Sequence, residues 1–255
     1  MPERRSKTLL LVAAPAVALL GYHSLRAKRH ISETKRLIQK SLTFPMRYSV
    51  GSGQPIRYVS LGDSTASGVG VHSVEETLPY LFAEHLAERG LRVDVTNFGN
   101  CGAKIADVLE RQIPDLPAGP IDLVTLSISA NDATRGTDTF LFRAQLRAVL
   151  EELEHRRAPL VLLTTTPNFR TSPALPSAIR VHCIRRSEKL TQIVREIASD
   201  YPFVELVPLN EDGSLTPGEC ASDGFHPSVD GYHMWAVLFD EAYSRRLASA
   251  PLPRS

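Results

Sequence analysis

Cysteine is scarce in this chain: Cys101, Cys183 and Cys220 are the only three in 255 residues. So few exclude a disulfide-stapled scaffold, and none of their spacings is a zinc pattern. A single Cys183–Cys220 bridge requires an oxidising compartment, and free buried thiols are the simpler expectation. An excess of one charge is lacking too: the formal net charge is +1, which gives no reason to expect nucleic acid as a partner. Heptads, internal repeats and low-complexity tracts are absent. What is there, 43% hydrophobic and 22% charged residues, is the composition of an ordinary globular protein long enough to bury a sizeable core.

The near-neutral total hides an asymmetry. Residues 1–40 hold nine Lys/Arg and two acids, leaving twenty basic against twenty-six acidic residues in the remainder. Within this basic leader, Thr8–Tyr22 (TLLLVAAPAVALLGY) is fifteen residues without a charge, flanked by Arg4, Arg5 and Lys7 before it and Arg26, Lys28 and Arg29 after it. A spanning helix wants about 20 apolar residues, so this run crosses a bilayer only if flanking side chains snorkel. The basic-then-apolar layout is also that of an export signal, with Ala16-Val17-Ala18 as a small-residue cleavage site. A helix packed on the body is the third reading. Membrane association through residues 8–22 is the expectation, and with it a membrane-anchored or exported protein of the cell envelope rather than a cytoplasmic one. The chain divides into this anchor or signal segment (1–24), a basic polar tether (25–50) with a short amphipathic stretch around Ile31–Ile38, and a folded body (51–255).

The body alternates strand-like and helix-like segments. Strands are expected at Ile56–Leu61, Leu91–Val95, Ile121–Ser127, Leu160–Thr164 and Phe203–Val207. Helices are expected at Glu75–Glu88, Lys104–Ile113, Thr139–His155, Ile179–Ser199 and Gly231–Leu247. Leu78, Leu81, Phe82 and Leu86 recur at helical spacing, as do Ile184, Leu190, Ile193, Val194 and Ile197. Such alternation argues for one α/β domain, a parallel sheet covered by helices on both faces.

In such sheets ligands sit in the loops beyond the carboxyl ends of the strands. Those loops carry Gly62-Asp63-Ser64, Asn97 to Lys104, Asn131-Asp132 and Asp223-Gly-Phe-His226-Pro. A serine on a tight turn at a strand end, close to a base, is what ester hydrolysis needs. An imidazole acting as that base is held by a carboxylate on its other ring nitrogen, and three residues along a tight turn let Asp223 face His226. Oxyanion donors are available from the Ser64 N–H, a glycine N–H in the 97–104 loop and the Asn131 amide. Taken singly, each of these is also an ordinary polar turn.

Together, and in this order, they resemble the SGNH (GDSL-type) serine hydrolase family. The matching pieces are Gly62-Asp63-Ser64 with Gly68, Asn97 followed at five residues by Gly102, Asn131-Asp132, and Asp223-Gly-Phe-His226-Pro, over about residues 56–247. The resemblance implies a flavodoxin-like three-layer α/β/α sandwich, with Ser64 as nucleophile, His226 as base and Asp223 as its partner. It places Gly102 and Asn131 with the Ser64 amide in the oxyanion hole, and it implies neither metal nor organic cofactor. One position departs: the family usually has glycine two residues before the third-block Asn, and here Ser129 stands there, acceptable if its backbone angle is ordinary.

The expected activity is hydrolysis of a carboxylic ester of a small alcohol, a lipid or an acylated sugar. The alternatives are acyl transfer to a cell-envelope hydroxyl and a non-catalytic carbohydrate- or lipid-binding module. Selectivity is expected from loops 69–75, 133–138 and 167–178, with Val69, Val71, Phe169, Leu175 and Phe225 as candidates for an apolar acyl pocket. His72, His85, His155, His182 and His233 are assigned no role, and Arg185-Arg186 reads as a solvated helix patch.

Overall fold

Burial along the strand Gln54–Gly62 (β2) rises from an exposed start to five consecutive buried residues, Tyr58–Gly62. Such a run marks a strand covered on both faces. In the computed structural model, which describes residues 28–249, β2 pairs in parallel with Leu91–Asn97 (β3) on one side and Leu123–Ser127 (β4) on the other. Val161–Thr164 (β5) and Val204–Val207 (β6) extend the sheet in parallel beyond β4. On the opposite edge Arg47–Val50 (β1) runs antiparallel to β3, giving the order β1-β3-β2-β4-β5-β6.

Alternate residues of each strand face opposite sides, so the sheet divides the interior into two cores. On one side Val59, Leu61, Val124, Leu126, Val161 and Leu163 pack with the helices Thr139–His155 (α5) and Ser177–Ala198 (α6). On the other, Tyr58, Val93, Val95, Leu123 and Leu162 meet Leu78–Glu88 (α2) and Val229–Ser249 (α7). Phe82 of α2, fully buried, has its ring 5.7 Å from Tyr58 and 5.6 Å from Phe239 of α7. Truncating such a side chain costs about 3–5 kcal/mol. The three-layer α/β/α architecture is therefore as expected, with one antiparallel edge strand added to the parallel sheet.

Two short helices differ from the expected pattern. Lys104–Ile113 is not one α-helix: Ile105–Asp107 (α3) opens into a π-helical turn at Val108–Gln112. Ala130–Thr134 (α4) follows β4 directly. The larger difference lies upstream. Where a tether is expected over 25–50, residues 28–41 form a helix (α1) and Arg47–Val50 is β1. Leu37, 1% exposed, anchors α1 to the body, so this stretch is folded against the domain rather than leading to it. The apolar segment 8–22, and the membrane association expected of it, lie outside the described residues. Among the described residues no helix is long and apolar enough to cross a membrane. Cys101, Cys183 and Cys220 are all free thiols, so the Cys183–Cys220 bridge is not formed.

Candidate active site

The chain leaves the sheet at Gly62, whose φ of +144° and backbone contact with Ser127 leave no room for a side chain: a Cβ there would lie 2.0 Å from Ser127 O. Ser64 follows on a tight turn closed by Ser67 N to Asp63 O and Val69 N to Ser64 O. The turn is not the start of a regular helix, since the next helical residues are Val74–Glu76. Gln112 steadies the strand end, accepting from Gly62 N at 2.9 Å and donating to Gly62 O at 2.8 Å. The widened π-turn is what aims this buried glutamine inward, and π-turns of this kind occur often at functional sites.

From the far end of the chain, the turn before α7 brings in His226. Its Nε2 lies 2.9 Å from Ser64 Oγ, and its Nδ1 lies 2.6 Å from Asp223 Oδ2. All three side chains are buried. The other carboxylate oxygen of Asp223, Oδ1, accepts the backbone N–H groups of Phe225 and His226, each at 3.0 Å. Burial pushes this carboxyl up, but the hydrogen bond and charge of His226 and the two backbone donors outweigh it, so its pKa lies below the usual carboxylate value. Asp223 therefore stays ionised opposite the imidazole. The Phe225 ring meets His226 edge-on at 5.2 Å and stacks on Phe169 at 5.9 Å.

Gly102 and Asn131 line the same cavity of about 490 Å³ as Ser64 and His226. Gly102 adopts φ +81°, and its carbonyl accepts from Arg135 Nη1 at 3.1 Å. The Asn131 amide donates to Ala103 O at 3.1 Å, which fixes its direction beside the serine, with Asp63 Oδ2 at 3.5 Å. Asn97 braces the loops, donating to Ala66 O and accepting from Gly99 N. Asp132 turns inward instead and accepts from Ile105 N.

Asp63, 1% exposed, lies just beneath. Burial pushes its carboxyl up to about 6, against Thr65, whose backbone N–H and hydroxyl donate to Oδ1, and against the charge of His226. Cys101, also on the cavity wall, has its thiol pushed up to about 11, chiefly by burial and then by the Asp63 charge. It is a packing residue rather than a nucleophile at neutral pH.

Ser129 does not have the ordinary backbone angle its side chain prefers: φ is +91°, in the left-handed region. Its hydroxyl donates to Thr166 Oγ1 at 2.9 Å, tying α4 to the end of β5.

Of the pocket candidates, Phe225 borders the large cavity, and Phe169 with Phe225 borders a smaller one behind Ser64 and His226. Val69 and Val71 are fully buried in the body instead, and Leu175 packs on the core beneath α5 and α6. Loops 133–138 and 167–178 contribute Arg135, Ala174 and Pro176 to the wall. The rest of that wall is α1, through His30, Ile31, Thr34, Lys35 and Ile38. Its amphipathic spacing was the only signal of it in the sequence.

Arg186 is no free surface cation, since it donates to Thr137 O. Among the described residues no cluster of His, Cys, Asp or Glu is arranged to hold a metal ion.

A serine, an imidazole and a carboxylate lie in line at the carboxyl edge of an α/β/α sheet, an arrangement suited to acyl-transfer chemistry. Residues 60–234 match the model of the GDSL-like lipase/acylhydrolase family, and the chain belongs to that family. It is similar to a GDSL-like esterase of Mycobacterium tuberculosis, 28% identical across 93% of this chain and 82% of the relative. It is also similar to an arylesterase of Vibrio mimicus, 25% identical across 80% of this chain and 94% of that protein. Among solved structures, a lipase/acylhydrolase from Enterococcus faecalis superposes with a TM-score of 0.61 at 25% identity, covering 75% of this chain and 96% of that one.

Proposed function

We propose that the chain cleaves carboxylic esters by way of an acyl-enzyme on Ser64, with His226 as general base and Asp223 as its orienting partner. The reading rests on one observation above all: the continuous contact from Ser64 Oγ to His226 Nε2 (2.9 Å) and from His226 Nδ1 to Asp223 Oδ2 (2.6 Å). His226 takes the Ser64 proton as Oγ attacks the ester carbonyl, and Asp223 stabilises the imidazolium that forms. The tetrahedral oxyanion is held by the N–H groups of Ser64 and Gly102 and the Asn131 amide. Collapse expels the alcohol, which leaves with the proton from His226. Water then attacks the acyl-enzyme, His226 taking its proton and returning it to Ser64 as the acid departs.

The substrate is a small or medium acyl ester. Ile31, Ile38 and Phe225 give the cavity an apolar side, and about 490 Å³ accommodates a ligand of modest size but not a long lipid enclosed whole. The test is hydrolysis of p-nitrophenyl esters from acetyl to palmitoyl by the full chain, with Ser64→Ala and His226→Ala alongside. Short- and medium-chain turnover that each substitution lowers by about 10³-fold or more is the expected result. Wild-type rates from Ser64→Ala would refute the assignment.

A further inference from the structure

Helix α1 lies outside the family-matched segment 60–234, yet one of its faces is spent on the loop that carries the acid. His30, Glu33, Thr34 and Leu37 recur at three- and four-residue spacing and so share that face. Leu37 anchors it in the body. His30 Nδ1 donates to the Asp223 carbonyl at 2.8 Å, and Glu33 Oε2 accepts from Ser222 Oγ at 3.2 Å. Thr34 Oγ1 reaches Asp223 Oδ2 at 3.1 Å, the same oxygen that faces His226 Nδ1.

Resting on the reading of Asp223 as the orienting acid, we propose that Thr34 is a positioning residue of the site, its hydroxyl holding Asp223 Oδ2 in line with His226. A carboxylate has about four lone-pair sites. On Oδ1 both partners are backbone N–H groups of the acid's own turn; on Oδ2 they are His226 and Thr34. Among the described residues, Thr34 is thus the one side chain from outside the turn that hydrogen-bonds the carboxyl group and fixes its rotation toward the imidazole. Its single proton has two acceptors in reach, His30 O at 2.9 Å and Asp223 Oδ2. An ionised carboxylate is the stronger acceptor of the two.

The test uses the full chain with Thr34→Val, which keeps the shape and removes the donor, and Thr34→Ser, which keeps the donor. A hydrogen bond to a buried charge predicts a kcat about tenfold lower for Thr34→Val on p-nitrophenyl butyrate, with KM little changed and Thr34→Ser close to wild type. The far-downfield proton resonance of His226 Nδ1–H provides a second readout that depends on the carboxylate and not on activity. It is expected to move in Thr34→Val and to hold its place in Thr34→Ser. Thr34→Val at wild-type kcat, equal losses in both variants, a loss confined to KM, or a resonance that Thr34→Val leaves in place would each overturn the proposal. Wild-type protein without Ser64-dependent turnover would instead remove the esterase reading beneath it, and the two failures are thereby distinguished.

Discussion

Gln112 answers both polar groups of a single peptide residue, Gly62, taking its N–H at 2.9 Å and giving to its carbonyl at 2.8 Å. Two residues later the chain presents Ser64. A buried glutamine side chain thus stands in for the next rung of the sheet where the chain must turn away. Gln112→Ala leaves the buried Gly62 N–H unmet, at a cost of about 1–3 kcal/mol, while the Gly62 carbonyl keeps the Asn100 N–H at 3.1 Å. The expected outcome in urea denaturation is a loss of about 2 kcal/mol or more, accompanied by a lower kcat as the Ser64 turn loosens. Unchanged stability would mean that water replaces the glutamine without cost.

Asp63 predicts a pH effect of definite sign. Its folded pKa, about 6, is raised above the unfolded value of 3.8. The proton is therefore bound more tightly in the folded state, and this contribution to stability is full below pH 3.8 and lost as pH rises through 6. Asp223 has the opposite sign: its lowered pKa supports the fold above the unfolded value and is lost as pH falls through the folded one. Asp63→Asn keeps an acceptor for Thr65 and removes the titration. Urea denaturation from pH 4 to pH 7 should show the wild type losing stability relative to Asp63→Asn by about 2 kcal/mol, most of the contribution that a shift of about two pKa units makes. Parallel profiles would disprove the burial argument.

Ile38 on α1 supplies apolar wall to the cavity that holds Ser64. Ile38→Ala removes several carbons of that wall, and apolar contact is worth about 25 cal/mol per Å². The ratio of kcat/KM for octanoyl over acetyl p-nitrophenyl esters should fall about three- to tenfold, in keeping with the discrimination that one or two buried carbons give. A ratio that holds would place the acyl chain elsewhere.

Ser129 combines a left-handed backbone with a buried hydrogen bond to Thr166. Ser129→Ala keeps the strain and breaks the bond, whereas Ser129→Gly breaks the bond and relieves the strain. The glycine variant should be the more stable of the two by about 1 kcal/mol, read from thermal or urea midpoints. The reverse order would show that the backbone there is not strained.

The central strands β4 and β5 were legible because strands buried on both faces are written as mostly apolar runs, β3 and β6 because their apolar residues recur between polar ones, and the helices because their apolar residues keep helical spacing. Ser64, Asp223 and His226, which the structure brings together, were legible because each is tied to a tight turn that its neighbours betray. Thr34 and His30 were not, since their partner Asp223 lies 189 and 193 residues downstream and no local pattern reports that distance. Helix α1 hid behind its own charge: Leu37 is the one buried hydrophobic residue on it, so a working helix read as a polar tether. Gln112 falls in the stretch Lys104–Ile113 expected as one regular helix, and the π-turn is what sends it inward. At Ser129 the residue type argued for ordinary angles, and tertiary context overrode it.

Ser64 and His226 meet across 162 residues of chain, and Tyr232 of α7 donates to Val69 O to pin the two ends together. Closing so long a loop is entropically late in folding. A chain still emerging from the ribosome carries Ser64 for most of its synthesis with no imidazole to activate it. The Ser64–His226 contact therefore assembles only once the end of the chain has docked on its beginning.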